Sequence, residues 1–293
     1  MREVGRLTLG KEGTHGTGKG RLADSFLVEG VIKYVLNGQN SDGGYTFCPG
    51  AESNAQDTYY GLEILKILNY PFPNVEKTVE WLLSIEMYNI YTYYYVGKAL
   101  TLCGERLDDR FREFVASEIS SRKHSISTNV YTELSSGFKS SLMVLELAEM
   151  LNLEFDGADM KRWLLGFKNR DGGFGENGHS DISSTYYAVA SLCLLKHDRK
   201  NLREAVKFVR KCEAPHGGFT IIPNSLKTYI EFTYAGVMTL DLLGEKLRFP
   251  QKTADFVLKC QRANGGFART DIGISTLEST FQAVKILQKL GAL

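Results

Sequence analysis

No stretch of this chain is apolar for long enough to span a membrane, and the first twenty residues lack the apolar core of a secretion signal. A surplus of charge is also missing. The 35 Lys and Arg nearly match 34 Asp and Glu, leaving a net +1, and no basic stripe makes an electrostatic case for nucleic acid. The five cysteines (Cys48, Cys103, Cys193, Cys212 and Cys260) are odd in number and scattered, which argues against a disulfide framework. They read as reduced packing residues of a cytoplasmic protein. With no CxxC pair and no His/Cys cluster, no structural zinc site is expected. The five histidines lie at irregular spacing in loops or near the start of the chain, without a nucleophile elbow around them.

What is present is a repeated phrase. Asp42-Gly43-Gly44-Tyr45, Asp171-Gly172-Gly173-Phe174, His216-Gly217-Gly218-Phe219 and Asn264-Gly265-Gly266-Phe267 are four versions of it. A second phrase follows 13 to 16 residues after the first glycine: Thr58-Tyr59-Tyr60, Thr185-Tyr186-Tyr187, Thr233-Tyr234 and Thr280-Phe281. The first two glycine pairs lie 129 residues apart, three times 43, and the later intervals are 45 and 48. A fixed period of this size means stacked supersecondary units. The glycines after Asp or Asn allow the positive φ that a tight reversal needs, and the aromatic is expected to plug the gap between neighbouring units.

Residues 1–22 read as a flexible, glycine-rich leader and 23–293 as one domain. Within the leader, Gly13 to Gly20 nearly spells a phosphate-binding loop, but glycine follows Lys19 where Ser or Thr is required, and no buried strand precedes it. From residue 23 the apolar spacing is helical throughout, and the segments fall into pairs, two of them (75–103 and 109–151) without a Gly-Gly turn. The first helix of a pair has a charged face, and the second is apolar round most of its circumference and therefore buried. Six such hairpins predict an all-α fold, an α6–α6 toroid (α/α barrel), with an open solenoid as the structural alternative.

The phrase Gln39-x-x-Asp42-Gly43-Gly44-Tyr45, with its echoes at 168–174 and 261–267, resembles the prenyltransferase and squalene-cyclase repeat, over about residues 24–293. The resemblance implies a toroid whose cavity mouth, at the amino ends of the inner helices, holds the active site. Protein prenyltransferases of this group place Asp-x-Cys where this chain has Asp181-Ile182-Ser183, and a third zinc ligand, a histidine, where Phe232 falls. Cyclases place Asp-x-Asp-Asp where this chain reads Asp181-Ile182-Ser183-Ser184. A serine hydroxyl supplies neither a soft zinc ligand nor an acid strong enough to protonate an alkene.

What the residues themselves offer is a rim and a lining. Parallel inner helices would gather their amino ends into an anion-attracting ring, yet Asp57, Glu133, Asp181, Glu231 and Glu278 sit at or near those ends, against Lys139, Lys227 and Arg269. Helix capping is the plain reading of these acids. The functional reading makes Asp181 and Asp57 catalytic carboxylates. Tyr59, Tyr60, Tyr94, Ser183, Tyr186, Tyr187, Lys227, Glu231, Phe232, Tyr234 and Phe281 are the expected cavity residues, one ring of each tyrosine pair facing inward. Electron-rich rings suit an isoprenoid or another apolar molecule, although tyrosines filling a core would look the same.

The expectation is an isoprenoid-handling enzyme that departs from both family patterns. It has no metal ligands and needs no zinc; magnesium enters only if the ligand is a diphosphate. A helical partner subunit is consistent with the resemblance. The alternatives are a non-catalytic toroid that binds a lipid or a protein, and a zinc-dependent prenyltransferase β-like subunit. A glycosidase is poorly served, since Trp81 and Trp163, the usual sugar platforms, fall on outer helices.

Overall fold

The computed structural model describes residues 18–125 and 134–293. Twelve α-helices account for most of them: α1 (Gly18–Asn37), α2 (Ala55–Ile67), α3 (Val75–Ser84), α4 (Ile90–Leu102), α5 (Asp109–Ser125), α6 (Leu134–Met150), α7 (Ala158–Gly166), α8 (Ile182–Leu194), α9 (Arg203–Cys212), α10 (Ile230–Leu242), α11 (Pro250–Lys259) and α12 (Leu277–Lys289). Among the described residues no strand forms, only isolated bridges. Helix α1 begins inside the segment read as a leader; residues 1–17 and Glu133 lie outside the described residues.

Each odd-numbered helix packs on the even-numbered helix that follows it, giving six hairpins. The even-numbered helices form the inner layer, where α2 packs on α4, α4 on α6, and so on to α12. Helix α12 then packs back on α2. That last contact decides between toroid and solenoid, because an open array leaves its terminal units apart. The two helices of each hairpin run in opposite directions, so all six inner helices run the same way and their amino ends share one face of the ring.

The repeated phrases join these layers. In the first copy the Asp42 carboxylate accepts the Gly44 N–H at 2.9 Å, and Asp171 and Asn264 do the same for Gly173 and Gly266. The aromatic plugs Tyr45, Phe174, Phe219 and Phe267 are wholly buried. Their backbone N–H groups donate to the hydroxyls of Thr58, Thr185, Thr233 and Thr280 at 2.9–3.1 Å. Each hydroxyl in turn donates to the carbonyl four residues back, at the start of its inner helix. Three residues after each threonine stands Gly61, Ala188, Gly236 or Ala283, all buried. A Cβ on Gly236 would lie 2.4 Å from the Phe219 ring, so the plug needs a small residue there.

The first glycine has a second role beyond its conformation. A Cβ on Gly43 would meet the backbone of α3 at 2.4 Å, and one on Gly265 would meet the Gly30 carbonyl of α1 at 2.0 Å. Each turn therefore seats on the outer helix of the next hairpin, and the last turn seats on the first hairpin. Glu213, with a wholly buried side chain, links two further units by accepting from Arg248 and from the Phe249 N–H.

Candidate functional site

The inner helices surround a cavity of about 500 Å³. Its lining follows one stripe on each helix, because residues three or four apart share a face. Tyr59 and Tyr60 are the fifth and sixth residues of α2, and Tyr94 and Tyr95 hold the same places in α4. Tyr186 and Tyr187 do so in α8, while Tyr234 and Phe281 are the fifth residues of α10 and α12. The rings touch round the barrel. Tyr94 meets Tyr59 at 6.1 Å between centroids, Tyr59 meets Phe281 at 6.2 Å, Phe281 meets Tyr234 at 6.0 Å and Tyr234 meets Tyr186 at 5.7 Å. Leu142 and Met143 of α6 complete this collar.

Both members of each tyrosine pair line the cavity, where one was expected to turn aside. The fifth and sixth positions straddle the inward direction, so the roughly 100° between them points neither ring away. Burial holds the phenols of Tyr59, Tyr60, Tyr94 and Tyr186 well above their ordinary titration range and pushes Tyr234 up to about 12. They are therefore neutral hydrogen-bonding groups at any physiological pH.

Charged residues share the lining. Glu146 accepts from the Tyr94 hydroxyl at 2.6 Å and from Lys98 at 2.9 Å. Glu278 accepts from Tyr60 at 3.1 Å and from Gln56 at 3.3 Å. Glu63, Lys66, Lys139 and Lys285 also border the space. Sequence reasoning missed most of these. The signal was available, since Glu63 and Lys285 each lie four residues after an aromatic of the repeated phrase, and Lys98 lies four after Tyr94.

Of the residues expected here, Tyr59, Tyr60, Tyr94, Ser183, Tyr186, Tyr187, Glu231, Tyr234 and Phe281 line the cavity. Asp57, Asp181, Lys227 and Phe232 do not. Asp181 is the N-cap of α8, and its carboxylate accepts the Ser184 N–H at 2.8 Å and the Ser184 hydroxyl at 2.6 Å. Asp57 is buried, and its carboxylate accepts the Phe47 N–H at 3.1 Å and the Asn54 amide at 2.8 Å. Burial raises its pKa, against those two hydrogen bonds. Both carboxylates thus hold the backbone around the amino ends. Lys227 is exposed on the loop before α10, and Phe232 packs edge-on to Tyr229.

The anion-attracting ring is largely used up as well. Asn54, Asn89, Asp181 and Thr276 cap α2, α4, α8 and α12 with their side chains. The first N–H groups of α8 and α10 donate to the Ile221 and Arg269 carbonyls of neighbouring loops. Helix ends satisfied in this way leave little to offer a ligand. Glu231 is paired with Arg269.

The zinc set implied by the family resemblance does not fit these residues. Phe232 has no donor atom, Ser183 is no thiolate, and the Asp181 oxygens are engaged in the cap. Among the described residues no three His, Cys, Asp or Glu side chains converge. All five cysteines are unpaired.

Solved structures with this architecture include the Candida albicans protein geranylgeranyltransferase-I complexed with GGPP. It is 14% identical, with a TM-score of 0.65 over 90% of this chain and 91% of that one. The type II terpene cyclase MstE from Scytonema in complex with geranylgeranyl dihydroxybenzoate is also 14% identical, with a TM-score of 0.61 over 94% and 99% of the two chains. No curated protein matches the sequence significantly. The model of the prenyltransferase alpha-alpha toroid domain matches residues 20–93 and 93–293, nearly the whole chain. The chain belongs to the prenyltransferase alpha-alpha toroid domain family.

Proposed function

We propose that this protein binds an isoprenoid chain in its tyrosine collar and acts on it without a zinc–thiolate centre. One observation carries the reading: aromatic rings from five neighbouring inner helices form a continuous collar round a cavity of about 500 Å³. A cavity of that size encloses a molecule of some twenty carbons, and the neutral ring faces suit its alkene units. GGPP and geranylgeranyl dihydroxybenzoate, present in the two neighbouring structures, support a geranylgeranyl compound as the probe. The group best placed to exchange a proton with such a ligand is Tyr94–Glu146–Lys98. A diphosphate ligand would bring magnesium with it.

A second reading, a non-catalytic toroid that carries a lipid, is favoured by the capping roles of Asp57 and Asp181. A helical partner subunit would seat at the amino-end rim, where Leu226, Ile272 and Ile274 are exposed. The unpaired cysteines support a reducing cytoplasm as the setting. Thermal unfolding with saturating geranylgeraniol, followed by mass spectrometry of the recovered lipid, tests both readings. A raised melting temperature with altered lipid supports the enzyme, and a raised temperature with unchanged lipid supports the carrier. No shift would remove the isoprenoid from both.

A further inference from the structure

Counting along the parallel inner helices sorts the cavity wall into layers. Ser183, Glu231 and Glu278 are second residues of their helices and mark the amino-end rim. The collar occupies the fifth and sixth places. On its far side stand three ninth residues from adjacent helices: Lys285 of α12, Glu63 of α2 and Lys98 of α4. Lys66 follows Glu63 by one turn, and Glu146 of α6 joins the layer through Lys98. Seven residues of helix put this layer about 10 Å beyond the rim.

The two layers differ in what they offer an anion. At the rim Glu231 is paired, Glu278 is hydrogen-bonded, and the helix N–H groups are capped. In the far layer Lys98 and Glu146 satisfy each other at 2.9 Å. Neither Lys66 nor Lys285 forms an ion pair among the described residues, and one further glutamate, Glu63, shares the lining with them. The layer therefore holds one more cation than anions. Lys66 is exposed, so the layer reaches solvent.

Lys98 also lies over the rings of Tyr59 and Tyr94, at 5.9 and 5.5 Å. That place on a ring face is where a positive centre is stabilised, and an ammonium already fills it.

We infer that the cavity takes an amphiphile with a single anionic head, a phosphate or carboxylate, bound by Lys66 and Lys285 on the far side of the collar from the amino-end rim. The apolar chain lies among the tyrosines. The inference rests on the isoprenoid reading above and adds the head group and the direction in which the ligand lies. That direction places the head group away from the amino-end mouth, where the family resemblance implies the active site.

Titration calorimetry of the full chain with geranylgeranyl monophosphate, geranylgeraniol and inorganic phosphate tests it. Loss of two charge-assisted contacts is worth roughly tenfold or more in affinity, so the monophosphate should bind at least about tenfold tighter than the alcohol. The double variant Lys66→Gln/Lys285→Gln should lose that preference and keep its affinity for the alcohol. Lys207→Gln, exposed on the outer helix α9 and away from the cavity, should keep it. If Lys207→Gln abolishes the preference, or the double variant retains it, the assignment of the head-group site is overturned and the isoprenoid reading stands. Inorganic phosphate binding as tightly as the monophosphate would overturn the amphiphile and leave a phosphate site. If neither prenyl compound binds, the isoprenoid reading itself falls. Melting of the free variants at the wild-type temperature shows that the fold is intact.

Discussion

Single side chains in this barrel are decided by burial. The Tyr45 plug is wholly buried, and its hydroxyl has no partner among the described residues, while the other three plugs are phenylalanines. Tyr45→Phe removes an unsatisfied polar group without changing shape and should stabilise the protein by about 1 kcal/mol in urea unfolding. A destabilised variant would mean that the hydroxyl is hydrogen-bonded after all. Seven cavity tyrosines have raised pKa values, so their contribution to stability is complete below the ordinary phenol value of 10.0 and fades as pH rises past it. Their phenolate absorbance should appear together with loss of the helical signal. Ionisation of all 15 tyrosines in a still-helical protein would contradict their burial. At this scale the sequence was ambiguous about acids. An aspartate at a helix start serves equally well as cap or catalyst, and only the partners of Asp57 and Asp181 separate the two.

Between elements, the link is the threonine that opens each aromatic pair. Thr185 accepts from the buried Phe174 N–H and donates to the Asp181 carbonyl, tying a turn to its inner helix. Thr185→Val keeps the volume and strands that N–H, at a cost of about 1–3 kcal/mol in denaturant unfolding. The control is Thr101→Val, where the hydroxyl bonds only the Gly97 carbonyl of its own helix, expected within about 0.5 kcal/mol of wild type. Equal costs would mean that the tie contributes nothing beyond side-chain volume. The repeat was legible because its chemistry is local: glycine pair, plug and threonine lie within one short window. The charged layer beyond the collar was not legible in the same way. Glu63, Lys98 and Lys285 are unremarkable on their own helices, and they come together only when three helices share a register.

For the whole molecule, closure is what matters. A solenoid shortened by one unit keeps most of its contacts, but a ring shortened by one unit exposes two faces. Truncation before α11 would uncover both α10 and α2, so the product should lose cooperative unfolding altogether. A shortened chain that still melts in one sharp transition would argue for independent units. Gly265→Ala attacks the same closure at a single atom, since its Cβ would lie 2.0 Å from the Gly30 carbonyl at a φ of +91°. It should cost at least about 2 kcal/mol and weaken ligand binding with stability, because the cavity belongs to the closed ring. The number of units, their pairing and a closed ring were expected from the repeat, but the contacts that close it were not, since they join the two most distant parts of the chain. The seat of Gly265 on α1 also sets an order of events during synthesis. The ribosome releases the first hairpin long before the glycine that completes it exists, so the nascent chain must carry the apolar flank of α2 uncovered until α12 emerges. The pocket is thus enclosed only after the sixth hairpin has been made.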